Sequence, residues 1–245
     1  MGVGLSMAKG GAIIPYPETI EGLQLWLRYN TGHTTTTGAT TLTGTINDED
    51  PISRWEDYST NNNHAEQSTT ADCPLFESDN NTLYWVTNSR WYDLTSDVSL
   101  TGNFTCIMRV RLITTTNDNF FGDSSSNFFR LTNSKSFRAK IGGHTQTNYT
   151  EVDDTLSSGI GAPFYTIIFR RNSGEVTVIV DGGSYSKKQW GEAATDSDTF
   201  TISNIGCQAD DNQEMGGYVK DALIYNKFLT DAQISGMLTF LGDEG

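Results

Sequence analysis

The chain has 245 residues and a net charge of −14, from 30 Asp+Glu against 16 Lys+Arg, with only 19% charged side chains. That balance argues against the basic face needed to neutralise nucleic-acid phosphates or to sit on anionic lipid, and no apolar run is long enough for a membrane-spanning helix. Aromatic residues reach 11%, and Thr, Ser, Asn and Gly fill much of the rest, a composition that suits a rigid all-β protein better than a disordered one.

Residues 1–19 have their own character. The start, Met1-Gly2-Val3-Gly4-Leu5-Ser6, lacks the basic and long apolar regions of a secretory signal. It fits the short acylation pattern M-G-x-x-x-[ST], but no polybasic stretch accompanies it. Two prolines around Tyr16 predict an extended path. This arm carries too little apolar surface to fold alone, so it lies either on its own domain or on a neighbouring subunit. Ile13, Ile14, Pro15, Tyr16 and Pro17 are the candidate assembly contacts.

Residues 20–245 read as one β-sandwich domain. Residues 20–28 form the first clear strand, with Leu23, Leu25 and Leu27 on one face and Gln24, Trp26 and Arg28 on the other. Residues 29–47 are polar, Thr-rich and punctuated by glycine. A polar loop opening on Trp55 follows, then short strands near residues 82–86 and 90–94. Residues 103–113 give the best alternation, Phe104, Cys106, Met108, Val110 and Leu112 against Thr105, Ile107, Arg109, Arg111 and Ile113. Shorter strands are predicted at 119–122, 127–132 and 136–141. Residues 164–171 and 175–181 form a hairpin closed by Asn172-Ser173-Gly174, and a strand at 200–206 precedes the last one. Cys73, Cys106 and Cys207 are odd in number and widely spaced, which predicts neither a disulfide framework nor a zinc site.

The closing stretch combines two periods. Residues 218–225 alternate as a strand; Thr230 and Gln233 then form a capping box, and Ile234, Met237, Leu238 and Leu241 follow at helical spacing. The strand is expected to pair near residues 20–28, and the helix to cover an edge of the sheet.

Three pieces together resemble the concanavalin A-like jelly roll in its laminin-G-like form. They are Gly22-Leu23-Gln24-Leu25-Trp26-Leu27, the loop Trp55-Glu56-Asp57-Tyr58-Ser59 with Asn61-Asn62-Asn63-His64-Ala65, and Ile224-Tyr225-Asn226-Lys227 followed by Leu229-Thr230-Asp231-Ala232-Gln233. The likeness spans residues 20–241. It departs from the family pattern at Arg28-Tyr29, where an Asp is common, and at Thr60, which replaces a turn glycine. It implies an all-β, antiparallel two-sheet jelly-roll sandwich with a short C-terminal helix. Such domains occur in lectins, in accessory modules of glycan hydrolases and in tailed-bacteriophage virions. The layout of this chain is most similar to the phage group. The resemblance therefore implies a multicopy virion protein of capsid, neck, tail or fibre, assembled in the host cytoplasm. Its partners would be other virion proteins and, in an alternative reading as a carbohydrate-binding module or adhesin, host surface glycans.

Chemistry is sparse in the sequence. Catalytic jelly rolls carry E-x-D-x-x-E on one strand, which puts alternate carboxylates on one face. The nearest stretch, Glu151-Val152-Asp153-Asp154-Thr155-Leu156, has Leu156 where the last Glu belongs, so the expectation is a protein that is not an enzyme. Calcium is the candidate small ligand, held by Asp57, Asn61 and Asn63 or by Asp210, Asp211, Asn212 and Glu214, since hard cations take loop carboxylates and amide oxygens. The same residues are ordinary turn formers. Trp91, Tyr92, Tyr185 and Trp190 lie in or near polar loops and are the candidates for stacking on sugars, with core packing as the competing role.

Overall fold

The structure is a computed structural model that describes residues 6–7, 13–14, 17–28, 33–34, 46–85, 90–113, 117–132, 136–146, 156–159, 161–173, 175–181, 186–190, 197–208 and 214–243. The described elements begin with β1 (Ser6–Met7), β2 (Ile13–Ile14), a 3-10 turn at Pro17–Thr19, β3 (Leu23–Leu27), β4 (His33–Thr34), β5 (Arg54–Trp55) and β6 (Ala65–Glu66). After a second 3-10 turn at Thr70–Asp72 come β7 (Leu75–Glu77), β8 (Thr82–Trp85), β9 (Tyr92–Thr101), β10 (Phe104–Leu112), β11 (Asn119–Ser124), β12 (Asn127–Leu131), β13 (Phe137–Ile141) and β14 (His144–Gln146). The chain closes with β15 (Tyr165–Asn172), β16 (Glu175–Asp181), β17 (Ser186–Trp190), β18 (Thr199–Ile205), β19 (Gly217–Tyr225) and the helix α1 (Asp231–Asp243).

Two antiparallel sheets face one another. The first has the order β17-β16-β15-β10-β19-β8-β7, with β3 also on β19; the second runs β14-β13-β12-β11-β18-β9-β6-β5-β4. β19 organises the first sheet. One edge pairs with β10 along its length, and the other is shared, β8 taking Gly217 to Val219 and β3 taking Ala222 to Tyr225. The pairing expected between closing and opening strands is thus present, Leu223 opposite Trp26 and Ile224 opposite Leu25. β9 is longer than the expected strand at 90–94, because Val98 and Leu100 continue to alternate inward against exposed Asp97, Ser99 and Thr101.

The space between the sheets is filled by the inward faces. Phe104, Cys106, Met108, Val110 and Leu112 of β10 all join it, as the sequence period predicts. Phe129 and Phe169 stack across the two sheets at 4.4 Å, and Trp55, Trp85 and Tyr92 form a cluster with ring centroids 5.8–6.4 Å apart. All three cysteines are buried and none is in a disulfide.

A second apolar cluster lies on the outer face of the first sheet. Trp26, Ile107, Ile168, Ile179, Leu223 and Tyr225 meet Ile234, Met237, Phe240 and Leu241 of α1. The helix therefore covers a face, not the expected edge. The reason is that Trp26, Leu223, Ile107, Ile168 and Ile179 are brought side by side on that face by the strand registers, and this apolar row needs a cover of its own. Arg170, 1% exposed, fixes the helix start: it donates to the Leu229 carbonyl at 2.6 Å and to the Asp231 carboxylate, and lies over the Phe228 ring. The capping box forms as predicted, Gln233 N–H to Thr230 Oγ1 at 3.3 Å and Thr230 N–H to Gln233 Oε1 at 2.9 Å.

Candidate functional site

The outer face of the second sheet is left open by α1, which lies on the opposite side of the sandwich. Cross-strand partners share a face in an antiparallel ladder. The registers place Arg54 opposite Glu66, Glu66 opposite Asp93, Asp93 opposite Asn204, Asn204 opposite Gly122, Gly122 opposite Phe128 and Phe128 opposite Lys140. One transverse row thus crosses β5, β6, β9, β18, β11, β12 and β13, a span of about 30 Å at the usual strand spacing.

The row is polarised. At one end Glu66 and Asp93 line a shallow pocket with Ser53, Gln67, Ser68 and Thr95. Like charges directly opposite one another are unfavourable on a sheet. Here each carboxylate has a donor on its far side: Arg54 Nη1 lies 2.8 Å from Glu66 Oε1, and Asn204 Nδ2 donates to Asp93 Oδ1 at 2.6 Å. At the centre Gly122 leaves room for the chain after β18. A Cβ there would come within 2.8 Å of the Gln208 carbonyl oxygen, so only glycine fits. Beyond it stand Phe128, Arg130, Arg138 and Lys140.

The loop after Trp55 is built around Asp57. Its carboxylate accepts the N–H groups of Trp26 (2.9 Å), Ser59 (2.8 Å) and Asn63 (2.8 Å) and the Ser59 hydroxyl (2.7 Å). Asn61 Nδ2 donates to the carbonyls of Leu23 and Gln24. The candidate calcium ligands Asp57, Asn61 and Asn63 therefore do come together, as a hydrogen-bonded turn that closes the loop on β3. His64 Nδ1 accepts the Asp57 N–H at 3.2 Å, and burial, reinforced by the Arg54 charge, holds its pKa below the ordinary histidine value. Tyr58 projects from the same loop, 44% exposed, the only exposed large hydrophobic side chain among the described residues. It borders a second shallow pocket with Glu18, Glu21, Gly22, Ser59 and Thr60.

Residues 86–235, more than half of the chain, match the laminin-G-like family described as the concanavalin A-like lectin/glucanases superfamily. The chain belongs to that superfamily. Solved structures with the same fold include an arabinofuranosidase complexed with arabinofuranosyl-α-1,2-xylobiose (TM-score 0.52, 11% identity, 75% of this chain and 49% of that one). They also include the Trypanosoma rangeli sialidase in complex with sialic acid (0.55, 13%, 96% and 35%) and a GH54 α-L-arabinofuranosidase mutant soaked with 4-nitrophenyl α-L-arabinofuranoside (0.55, 11%, 89% and 58%). The chain spans 35–58% of the length of these proteins. No curated protein matches it in sequence. The expectation of a protein outside enzyme chemistry is corrected by these likenesses. This fold recurs within glycosidases, so Leu156 in place of a motif glutamate is no ground for excluding an enzyme.

The other sequence candidates separate as follows. Tyr92 is corrected: it is fully buried between Trp55 and Trp85, and its hydroxyl donates to the Ile52 carbonyl at 2.7 Å, so it is core. Its position on β9 follows the inward period of Leu94, Val98 and Leu100. Trp91 is half-buried at the entry to β9. Trp190 ends the edge strand β17, opposite Val176, and its side chain lies outside the described residues, as do Tyr185, Asp210, Asp211 and Asn212. Glu214 is buried just before β19. Among the described residues no three His, Cys, Asp or Glu side chains converge as metal ligands do. Ile13 and Ile14 pair with β1 beside α1, while Pro17 is buried and its carbonyl accepts the Tyr225 hydroxyl at 3.2 Å. Pro15 and Tyr16 lie outside the described residues.

Glu66, Asp93 and Tyr58 were not among the sequence candidates. Nothing local marks the two carboxylates: they stand 27 positions apart and meet only through the β6–β9 register. Tyr58 sits inside the family-like loop, and its exposure depends on Asp57 holding the turn.

Proposed function

We propose that the chain is a glycan-recognition domain whose ligand lies on the outer face of the second sheet, across the Glu66–Asp93 pocket. The observation that carries this is the pocket itself. Two carboxylates, two serine hydroxyls, a threonine and an amide surround it, an acceptor-rich lining that suits sugar hydroxyls, on a fold shared by lectins and glucanases. The test is binding of a broad glycan set by calorimetry, with and without calcium, to the wild type and to Asp93→Asn. Binding weakened at least tenfold by Asp93→Asn supports the reading. Binding unchanged by it, or none across the set, overturns it.

A second reading is favoured by the same pair. Glu66 and Asp93 stand directly opposite on β6 and β9, and glycosidases use two carboxyl groups that flank the scissile bond. If Glu66 and Asp93 act as acid and base, reducing-sugar release should vanish in Glu66→Gln while binding persists. Release unchanged in that variant rules this pair out.

Display on a bacteriophage particle belongs to the same proposal. What supports it is layout alone: a lectin-like sandwich preceded by a Gly/Pro-punctuated arm, residues 1–19.

A further inference from the structure

Among the described residues, the far end of the same face holds three cations and no anion paired with them. β12 and β13 pair so that Arg130 lies directly opposite Arg138, and Phe128 directly opposite Lys140. Cations facing one another across a ladder repel. Arg130 is 9% exposed, and Arg138 and Lys140 are half-buried, so water screens that repulsion poorly. The chain has 30 acidic residues for 16 cations, yet the ion pairs seen among the described residues include those of Arg54, Arg170 and Lys227 and none of these three. Asp123, on the adjoining β11, accepts from Ser124 and Asn127 instead.

The donors at this end are largely unspent. Arg130 Nη1 donates to Gln208 Oε1 at 3.3 Å. The Phe128 ring centre lies 4.6 Å from the Arg130 guanidinium carbon and 5.7 Å from that of Arg138. A ring face attracts cations but takes up few of their directional N–H bonds. The Nε–H groups of Arg130 and Arg138 are both withdrawn from solvent without an acceptor. Buried donors in folded proteins nearly always have one. Burial and the Arg138 charge together pull the Arg130 pKa downward, in keeping with a cation that lacks its counter-charge.

We propose that Arg130, Arg138 and Lys140 form an anion subsite, and that the face takes an acidic saccharide bearing carboxylate or sulfate groups. This rests on the reading of the face as glycan-binding. Two guanidinium groups beside one ring offer forked donors matched to carboxylate or sulfate oxygens, and Lys140 adds a mobile point charge. Toward the other end of the row Glu66, paired with Arg54, and Asp93 accept from hydroxyls and leave a net negative charge. The two ends therefore fix one direction for the ligand, acid group over β12–β13 and neutral rings toward β9–β6.

The test uses the full chain. Sodium sulfate is titrated at constant ionic strength against sodium chloride, read through arginine Nε–H resonances, and tetragalacturonate and its methyl ester are compared by calorimetry. Saturable shifts confined to a few arginine signals are expected, weakened at least tenfold in Arg138→Gln and in Lys140→Gln. Both substitutions are at half-buried strand positions, and circular dichroism checks that the fold is kept. Tetragalacturonate should bind at least tenfold more tightly than its ester. A sulfate response that does not saturate, or is equal in wild type and both variants, overturns the proposal. Saturable sulfate with neither saccharide bound keeps the anion subsite and removes the glycan reading. Equal binding of acid and ester, lost in Asp93→Asn, keeps the glycan reading and removes the anion subsite.

Discussion

Asp57 shows how one side chain sets a loop. Its two oxygens accept four donors from β3 and the loop, three of them main-chain N–H groups. Asp57→Ala leaves these donors without their acceptor and is expected to destabilise the fold by about 3 kcal/mol, measured by urea denaturation. His64 gives the loop a pH dependence. Its folded pKa is depressed, chiefly by burial, and its neutral Nδ1 holds the Asp57 N–H. A depressed value means that the unfolded ring takes up its proton first as the pH falls. The stability His64 contributes is therefore complete above the ordinary histidine value of about 6.5 and declines below it. Stability curves between pH ~7 and ~5 should be flatter in His64→Gln than in wild type; identical slopes would count against this role. Burial also pushes the Cys73 thiol up to about 11. With Cys106 and Cys207 buried too, a thiol reagent at about pH 8 should label none of the three until the chain is unfolded.

At the scale of elements, the helix and its cap are legible in the sequence because every part of the signal is local. Thr230, Gln233 and the apolar positions after them lie within a dozen residues, and the hydrogen bonds form between neighbours along the chain. Thr230→Ala should lower stability by about 1 kcal/mol, read from thermal or urea unfolding. The strands at β10, β15, β16 and β19 are equally legible, since period and hairpin turn are local too. The side of the sheet that the helix covers is not: it depends on Ile107, Ile168 and Ile179 coming to lie side by side on three strands. Gly122 belongs to the same class. Its need for glycine comes from Gln208, 86 positions later, resting on β11. Gly122→Ala should cost about 2 kcal/mol through overpacking and disturb the Arg130 contact to Gln208, which urea denaturation and the Arg130 resonance would both report.

For the whole molecule, the two sheets are used differently. One carries the helix on its outer side, and the other carries a row with two carboxylates on β6 and β9 and a cluster of three cations on β12 and β13. The arm joins the first side, where β2 lies beside α1 and Pro17 meets Tyr225. A chain lacking residues 1–12 keeps the Pro17 contact, so its sandwich should melt at nearly the same temperature. On the virion reading it should fail to join particles; normal incorporation of the truncated chain would remove that reading.

The sequence alone determined the all-β class, the inward period of the long strands, the pairing of the closing strand with the opening one, and the capped helix. Each rests on alternation or on contacts between near neighbours, which any chain with these residues carries in linear form. Only the tertiary structure decided that Tyr92 is core, that Asp57 closes a turn, and that Glu66 and Asp93, or Arg130 and Arg138, stand face to face. Those facts depend on strand register, and a shift of a single residue would turn each pair to the other side of the sheet.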